Sequence, residues 1–393
     1  MGCLPSKHRQ PQYVHVPDGS FRPAPVTPRQ NFTSGGANGT RMGGGTNGSR
    51  PGINNGSTAP RTTTRTTTNG TTSRTAGRSL RAPGERVVGG SAPIKILDDV
   101  NCGEYVELEQ FKHDYWLDPN DIVHTRTVQS NYMKTELGHY LGQPVLIKSL
   151  NFSASAEDLA KNKKALVSEV RSMTRIQHPN IVKFLGFYIT EDHGLCCISE
   201  YMEGKTLRHL LNNKRQNLTW AKEKIAIAMD IASALVYMHS LNPRLIHRNI
   251  KAEKVLLTNR REAKLSGFGC ARDRTFENTM TAGVGDIQWS APELLQDGED
   301  YDEKVDVYSF GVVLTELDTR EIPFANEMAV MARADITMKL VTGMLRPAVS
   351  ADCPPCIKKI VHQCLQHDAS LRPTSERVLQ LLRDARLQLL EIK

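Results

Sequence analysis

The stretch "HRNIKAEKVLL", residues 247–257, stands where one kind of patterning gives way to another. Upstream, residues 122–150 read as short strands around "QPVLIKSL", and "GLCCISEYM" (194–202) reads as a buried strand. Between them "EDLAKNKKALVSEVRSMTRI" has helical spacing, with apolar positions at Ala165, Val167, Val170 and Met173. Just before the stretch, "AKEKIAIAMDIASALVYMHS" predicts a long, largely buried helix, and "DVYSFGVVLTEL" and "IKKIVHQCLQH" predict further helices beyond it. Strands first and then mostly helices predict an α+β protein with two lobes, a small β-rich one to about residue 200 and a larger helical one from about 204.

The chain has 393 residues, enough for one large domain or two small ones. Its charge is unevenly placed. Residues 1–90 carry twelve Lys or Arg against two acids, about +10, whereas the other 303 carry 38 bases and 40 acids, about −2. The net +8 therefore belongs to the N-terminal arm, and an anionic partner should meet that arm.

Within the arm, residues 1–7, "MGCLPSK", fit the Met-Gly-x-x-x-Ser pattern for N-myristoylation of Gly2, and Cys3 beside it is a candidate for palmitoylation. One myristoyl chain holds a bilayer only marginally, so stable anchoring takes a second acyl chain or a basic patch; this arm offers both. Residues 1–10 are thus read as a lipidation motif and 11–95 as a disordered linker, since a tract such as "RTTTRTTTNGTTSRTAGR" has almost nothing with which to build a core. Isolated Arg residues without RGG repeats or interleaved aromatics point to anionic lipid rather than nucleic acid. Asn-Gly-Thr/Ser at Asn38, Asn47, Asn55 and Asn69 follows from that composition, because no export signal accompanies it. Eight Cys without a regular framework, and no apolar run long enough to span a membrane near the N-terminus, predict an intracellular, reduced protein at the cytoplasmic face of a membrane.

Residues 96–390 carry a set of motifs in fixed order. "VLIK" ends at Lys148; Glu169 lies in "VSEVRSM" and is followed by "HPNIV"; then come "HRNIKAEKVLL", "LSGFG" (265–269), "APE" (291–293), Asp306 in "DVYSFG" and Arg372 in "LRPT". This order resembles the protein kinase family, most closely its tyrosine-kinase-like Ser/Thr branch, over roughly residues 115–390. The resemblance implies a two-lobed kinase-like fold. It makes Lys148 the lysine that holds nucleotide phosphates and Glu169 its helix partner. Asp306 becomes the buried support of the catalytic loop, Arg372 the partner of Glu293, and Met173, Phe184, His247 and Phe268 a hydrophobic column joining the lobes.

The same resemblance marks where the chain departs from the family. Asn249 stands where the family has the aspartate that accepts the substrate hydroxyl's proton, beside Lys251 in a degenerate loop. Lys254 replaces a magnesium-binding asparagine, and Gly267 replaces the aspartate that holds the other magnesium. Magnesium is a hard cation bound through carboxylates and phosphates, so no metal ligands are expected. The glycines of the family's phosphate loop would fall at Val128, Ser130 and Met133, and residues 121–137 contain no glycine. Leu146 replaces a small alanine against the adenine ring. Asp286 replaces a threonine and is expected to pair with Lys251.

Retained scaffold with removed chemistry implies a pseudokinase: a membrane-tethered scaffold or allosteric regulator in signalling whose partner is another protein, an active kinase being the expected one. The alternative is a Ser/Thr kinase of weak or unconventional catalysis. Lys148 and Glu169 have two readings, an ion pair that fixes the long helix against the strand sheet, which the missing phosphate loop favours, and a residual nucleotide site; no cofactor is firmly expected, and ATP would bind there without normal magnesium coordination. Arg248 has two readings, a receiver for a phosphate on Thr275, Thr279 or Thr281, or a neighbour of exposed hydroxyls with no such role. Cys353 and Cys356, with Cys364, His362 and His367, fit a zinc or redox reading less well than a structural one, because "CPPCIKKIVHQCLQH" overlays the family's late helices.

Overall fold

A computed structural model describes residues 13–15, 21–23, 102–128, 133–273, 286–296 and 300–391, with 13–15, 21–23 and 272–273 as backbone alone. The chain divides into two units, Met1–Ala92 and Pro93–Lys393. In the first, β1 (Tyr13–His15) pairs antiparallel with β2 (Phe21–Pro23). Gly2, Cys3 and the Gly/Thr/Arg-rich tract lie outside the described residues.

The second unit begins with a segment that patterning did not single out. A 3-10 helix, Gly103–Phe111, runs into α1 (Lys112–Tyr115). Tyr105 and Leu108 are buried from this segment, which together with Phe111 and Tyr115 gives apolar residues at helical spacing. It lies against α2 (Ala156–Met173). Glu104 meets Lys163 at 2.5 Å, Glu107 meets Arg171 at 2.9 Å, and the Tyr115 hydroxyl donates to the Thr174 carbonyl at 2.8 Å.

A five-stranded antiparallel sheet forms the small lobe. In chain order it comprises β3 (Ile122–Val128), β4 (Met133–Tyr140), β5 (Gln143–Leu150), β6 (Phe184–Thr190) and β7 (Gly194–Glu200), arranged β3-β4-β5-β7-β6. The β4–β5 hairpin turns on Leu141 and Gly142, both at positive φ, as a two-residue turn matched to strand twist requires. On β5, Val145, Ile147 and Ser149 are buried on one face while Leu146 and Lys148 alternate onto the other, half-buried. This period of two delivers Lys148 to the cleft side of the sheet.

Ser155 caps α2 by accepting from the Asp158 N–H, and Glu157 and Asp158 favour the same end. Its buried stripe is Leu166, Glu169, Val170 and Met173, whereas Ala165 and Val167 are only half-buried. The expected stripe was thus displaced by one residue at its N-terminal end, because the 3.6-residue turn joins Leu166 to Glu169, Val170 and Met173.

The helical lobe contains α3 (Leu207–Asn212), α4 (Ile225–Ser240), α5 (Lys304–Thr319), α6 (Ala325–Val330), α7 (Arg333–Val341), α8 (Pro355–Cys364) and α9 (Ser375–Glu391). Every residue of α5 from Val305 to Asp318 is buried, so it forms the axis of this lobe. Short pairs, β8 (Leu245–Ile246) with β11 (Arg272–Asp273) and β9 (Val255–Leu257) with β10 (Ala263–Leu265), flank the loop that carries residues 247–254. Cys353 and Cys364 are buried, and no group of three or more His, Cys, Asp or Glu among the described residues is arranged to hold a metal ion. No described helix is long and apolar enough to cross a membrane.

Candidate functional site

The loop after β8 is held from below by two carboxylates on α5. Asp306, wholly buried, accepts from the His247 and Arg248 backbone N–H groups at 2.8 Å each, and His239 Nε2 donates to it at 3.2 Å. Burial alone would raise this carboxyl's pKa, but His239, His247 and the backbone donor outweigh it and hold it below the usual range. Glu316, also wholly buried, accepts from the Ala252 N–H at 3.0 Å, Trp289 Nε1 at 2.7 Å and Arg208 Nη1 at 3.1 Å. Glu316 was missed in the sequence, although a carboxylate inside the apolar run "FGVVLTEL" signals a buried charge with partners.

His247 lies at the floor of the site. Burial pushes its pKa down despite the nearby Asp306, which favours neutral imidazole. Nε2 then donates to the Ser266 carbonyl at 3.0 Å, leaving Nδ1 to accept from the Asn249 N–H at 3.3 Å. Its ring meets Phe268 edge-on at 4.9 Å, and Met173, Phe184 and Phe268 share one buried cluster. Two members of the expected column, His247 and Phe268, are therefore in direct contact.

Arg248 is buried. Its Nε donates to the Cys270 carbonyl at 2.7 Å and its Nη1 to the Tyr301 hydroxyl at 2.8 Å. Thr275, Thr279 and Thr281 lie outside the described residues, as do residues 129–132, Ser130 among them.

Three lysines belong to this site, Lys148 and Lys251 lying near enough to Lys254 for their charges to act on it. Lys148 Nζ donates to Glu169 Oε1 at 2.6 Å; burial opposes its charge, but the Glu169 carboxylate prevails and lifts its pKa above the ordinary lysine value. Lys251 Nζ donates to Asp286 Oδ2 at 2.5 Å and lies 5.4 Å from the centre of the Trp289 ring. The expected pairing of Lys251 with Asp286 is present.

Lys254 has no carboxylate within ion-pair distance among the described residues. Burial, then the charges of Lys148 and Lys251, push its pKa down. Its side chain crosses directly over Gly267. A Cβ placed there would lie 2.8 Å from Lys254 Cδ and 3.4 Å from Nζ. Gly267 also adopts φ 84°, a conformation costly for a side-chain-bearing residue. Nearby, Asn249 Oδ1 is buried and finds no hydrogen-bond partner among the described residues.

Magnesium does not fit this donor set. The two positions that the resemblance assigns to its ligands hold an ammonium and a glycine, and the ammonium's own chain fills the space beside the glycine. An amide at Asn249 likewise has no carboxylate to take a proton.

The ion pair between Lys148 and Glu169 offers a direct stability test, because the two side chains are 25% and 11% exposed. Lys148→Met should cost about 2 kcal/mol in urea unfolding, less than a fully buried pair because water still reaches the ammonium. Lys148→Met with Glu169→Leu should recover most of that loss, since no charge is then left unpaired.

The sequence matches the family described as protein tyrosine and serine/threonine kinase over residues 126–382. It is 34% identical over 216 residues to a putative serine/threonine-protein kinase/receptor of Acanthamoeba polyphaga mimivirus, covering 54% of this chain and 12% of that one. It is 30% identical over 247 residues to a serine/threonine-protein kinase of Arabidopsis thaliana, covering 63% and 41% respectively. A probable serine/threonine-protein kinase of Dictyostelium discoideum is 30% identical over 297 residues, 74% of this chain and 21% of that protein. The chain thus spans less than half the length of these relatives.

Proposed function

The chain belongs to the protein tyrosine and serine/threonine kinase family, and from that premise we propose that it acts as a membrane-tethered pseudokinase, a scaffold or allosteric regulator of an active kinase in signalling. The observation that carries this reading is the tie between Lys251 and Asp286. It withdraws the loop's lysine into an ion pair beside an amide, Asn249, so the loop keeps its shape without a base. Around it the supports that hold shape are intact: Asp306 and Glu316 fix the loop, and Lys148 with Glu169 fixes α2 against the sheet.

The tether is the N-terminal arm, with acyl chains on Gly2 and Cys3 and about 1 kcal/mol of attraction to anionic lipid from each basic residue near the surface. Confinement to a membrane raises the chain's effective concentration toward other anchored proteins. A Ser/Thr kinase of weak, unconventional catalysis is the second reading, favoured by the formed Lys148–Glu169 pair.

Two measurements test the proposal. In cells, the wild-type chain should pellet with membranes and Gly2→Ala should move most of it to the soluble fraction; unchanged partitioning would count against the tether. In solution, the full chain with magnesium and ATP should transfer phosphate to generic Ser/Thr substrates no faster than a blank. A rate abolished by Lys148→Met would establish the second reading instead.

A further inference from the structure

We infer that the segment Gly103–Tyr115 is a strap across α2, and that its two exposed ion pairs govern whether Glu169 reaches Lys148. The inference goes beyond the proposed function and does not rest on it, since a scaffold and a weak kinase would both be controlled through α2.

Two sides of α2 are held by different parts of the chain. With about 3.6 residues per turn, Ala165 and Ser168 fall on one side and Lys163, Arg171 and Thr174 on roughly the opposite one. On the first, Ser168 Oγ donates to the Ala271 carbonyl at 3.3 Å, and a Cβ on Gly269 would lie 3.2 Å from the Ala165 carbonyl oxygen. The strap holds the second. Its Glu104 meets Lys163, its Glu107 meets Arg171, and its Tyr115 hydroxyl donates to the Thr174 carbonyl. Tyr105 and Leu108 belong to the same buried cluster as Leu166 and Val170, between the two sides. The Tyr105 hydroxyl also reaches the turn between β6 and β7, where a Cβ on Gly194 would lie 3.3 Å from it. A single tyrosine thus links α2 to the sheet.

The strap's own structure is weak. It is a 3-10 helix, whose hydrogen bonds are poorer than those of an α-helix, and Tyr105 breaks it with φ −107° and ψ 41°. Its hold on α2 therefore leans on the ion pairs. The Glu104 and Glu107 side chains are 64% and 63% exposed, so salt or a competing cationic group can reach both. Lys163 Nζ also lies 4.8 Å from the centre of the Tyr105 ring, so loss of the Glu104 pair loosens the buried tyrosine as well. Segments held this way open locally, well before the fold as a whole. Glu169 lies on the same helix, two residues before Arg171. Its 2.6 Å contact with Lys148 is what α2 gives up when it swings from the sheet.

Hydrogen–deuterium exchange of the full chain tests this. Glu104→Lys with Glu107→Lys should speed exchange of the α2 amides about tenfold, the effect of two exposed pairs lost and turned repulsive. The amides of α4 and α5 should exchange as in the wild type. Sodium chloride at about 1 M, which cuts the screening length to about 3 Å, should also speed α2 exchange in the wild type and leave α5 unchanged. Adding Lys163→Glu and Arg171→Glu to the double variant re-forms both pairs with their signs exchanged and should restore most of the protection. Under limiting acetic anhydride, Lys148 should be acetylated several-fold faster in the double variant than in the wild type, and slowly again in the four-site variant.

Unchanged α2 exchange in the double variant would overturn the inference. So would acceleration shared equally by α4 and α5, which marks general destabilisation, or a four-site variant no better protected than the double one. Faster α2 exchange with Lys148 acetylated at the wild-type rate would sink the link between the strap and the ion pair. None of these readouts depends on phosphate transfer or on membrane attachment, so the proposed function stands or falls separately.

Discussion

Arg372→Ala should lower the unfolding free energy of the full chain by about 3–5 kcal/mol, the cost of leaving a buried charge unpaired. The guanidinium is 0% exposed and meets Glu293 through both nitrogens, at 2.5 and 2.9 Å. It also donates to the carbonyls of Gln366, His367 and Lys304 and lies 5.0 Å from the centre of the Tyr308 ring. Truncation strands all of these at once, where a typical fold has only about 5–15 kcal/mol in total. Arg372→Lys should recover part of the loss, since a lysine keeps the charge but cannot reproduce the two-point fork. Urea unfolding of the three proteins measures it. A loss under about 1 kcal/mol would mean the pair is not what fastens the segment ending at Glu293 to the start of α9.

That pair also illustrates what could be read before any coordinates. Arg372, Glu293, Asp306, Lys148 and Glu169 sit in short motifs in strict order, so the family resemblance implied a partner or role for each before any coordinates. Asp286 could be matched to Lys251 for the same reason. Elsewhere the signal was weaker. The helical segment Gly103–Tyr115 buries only Tyr105 and Leu108 fully and is otherwise largely polar. Its attachment to α2 depends on pairing across distant parts of the chain, as between Glu107 and Arg171. Local periodicity cannot report such contacts. The stripe on α2 slipped because Ala165, Leu166 and Val167 are all apolar, so the letters alone do not say which of the three faces the core. Arg248 had two readings in the sequence, and only the fold could place Tyr301 and the Cys270 carbonyl around it.

The relation between Lys254 and Gly267 is the least legible and the most consequential. As letters they are two separate losses of metal ligands. In three dimensions the Lys254 side chain crosses the space beside Gly267, so the two replacements touch. The distinction matters for what reversal should achieve.

Asn249→Asp alone should leave phosphate transfer at the blank rate. A restored carboxylate base contributes about 10²–10⁴-fold only when the rest of the reaction is in place, and here the ammonium of Lys254 still repels the magnesium that phosphoryl transfer uses to offset developing charge. Gly267→Asp alone should also stay at the blank rate, because its Cβ would meet Lys254 Cδ at 2.8 Å and displace that side chain without removing its charge. Lys254→Asn with Gly267→Asp removes the contact with Lys254 and supplies two oxygen ligands, while the φ of 84° stays and is one that aspartate tolerates better than most residues, so Asn249→Asp added to that pair should raise the magnesium-dependent rate by about 10²–10⁴-fold over the pair itself. The absolute rate should stay low, since residues 121–137 still lack a glycine to bring backbone N–H groups against phosphate. Single-turnover transfer from labelled ATP, run for each combination, separates the cases. A rise for Asn249→Asp in the wild-type background would show that Lys254 does not block the metal. Strong dependence on all three positions together, the non-additivity expected of groups that act as a unit, would show that the chain lost catalysis through a coupled replacement at its metal site.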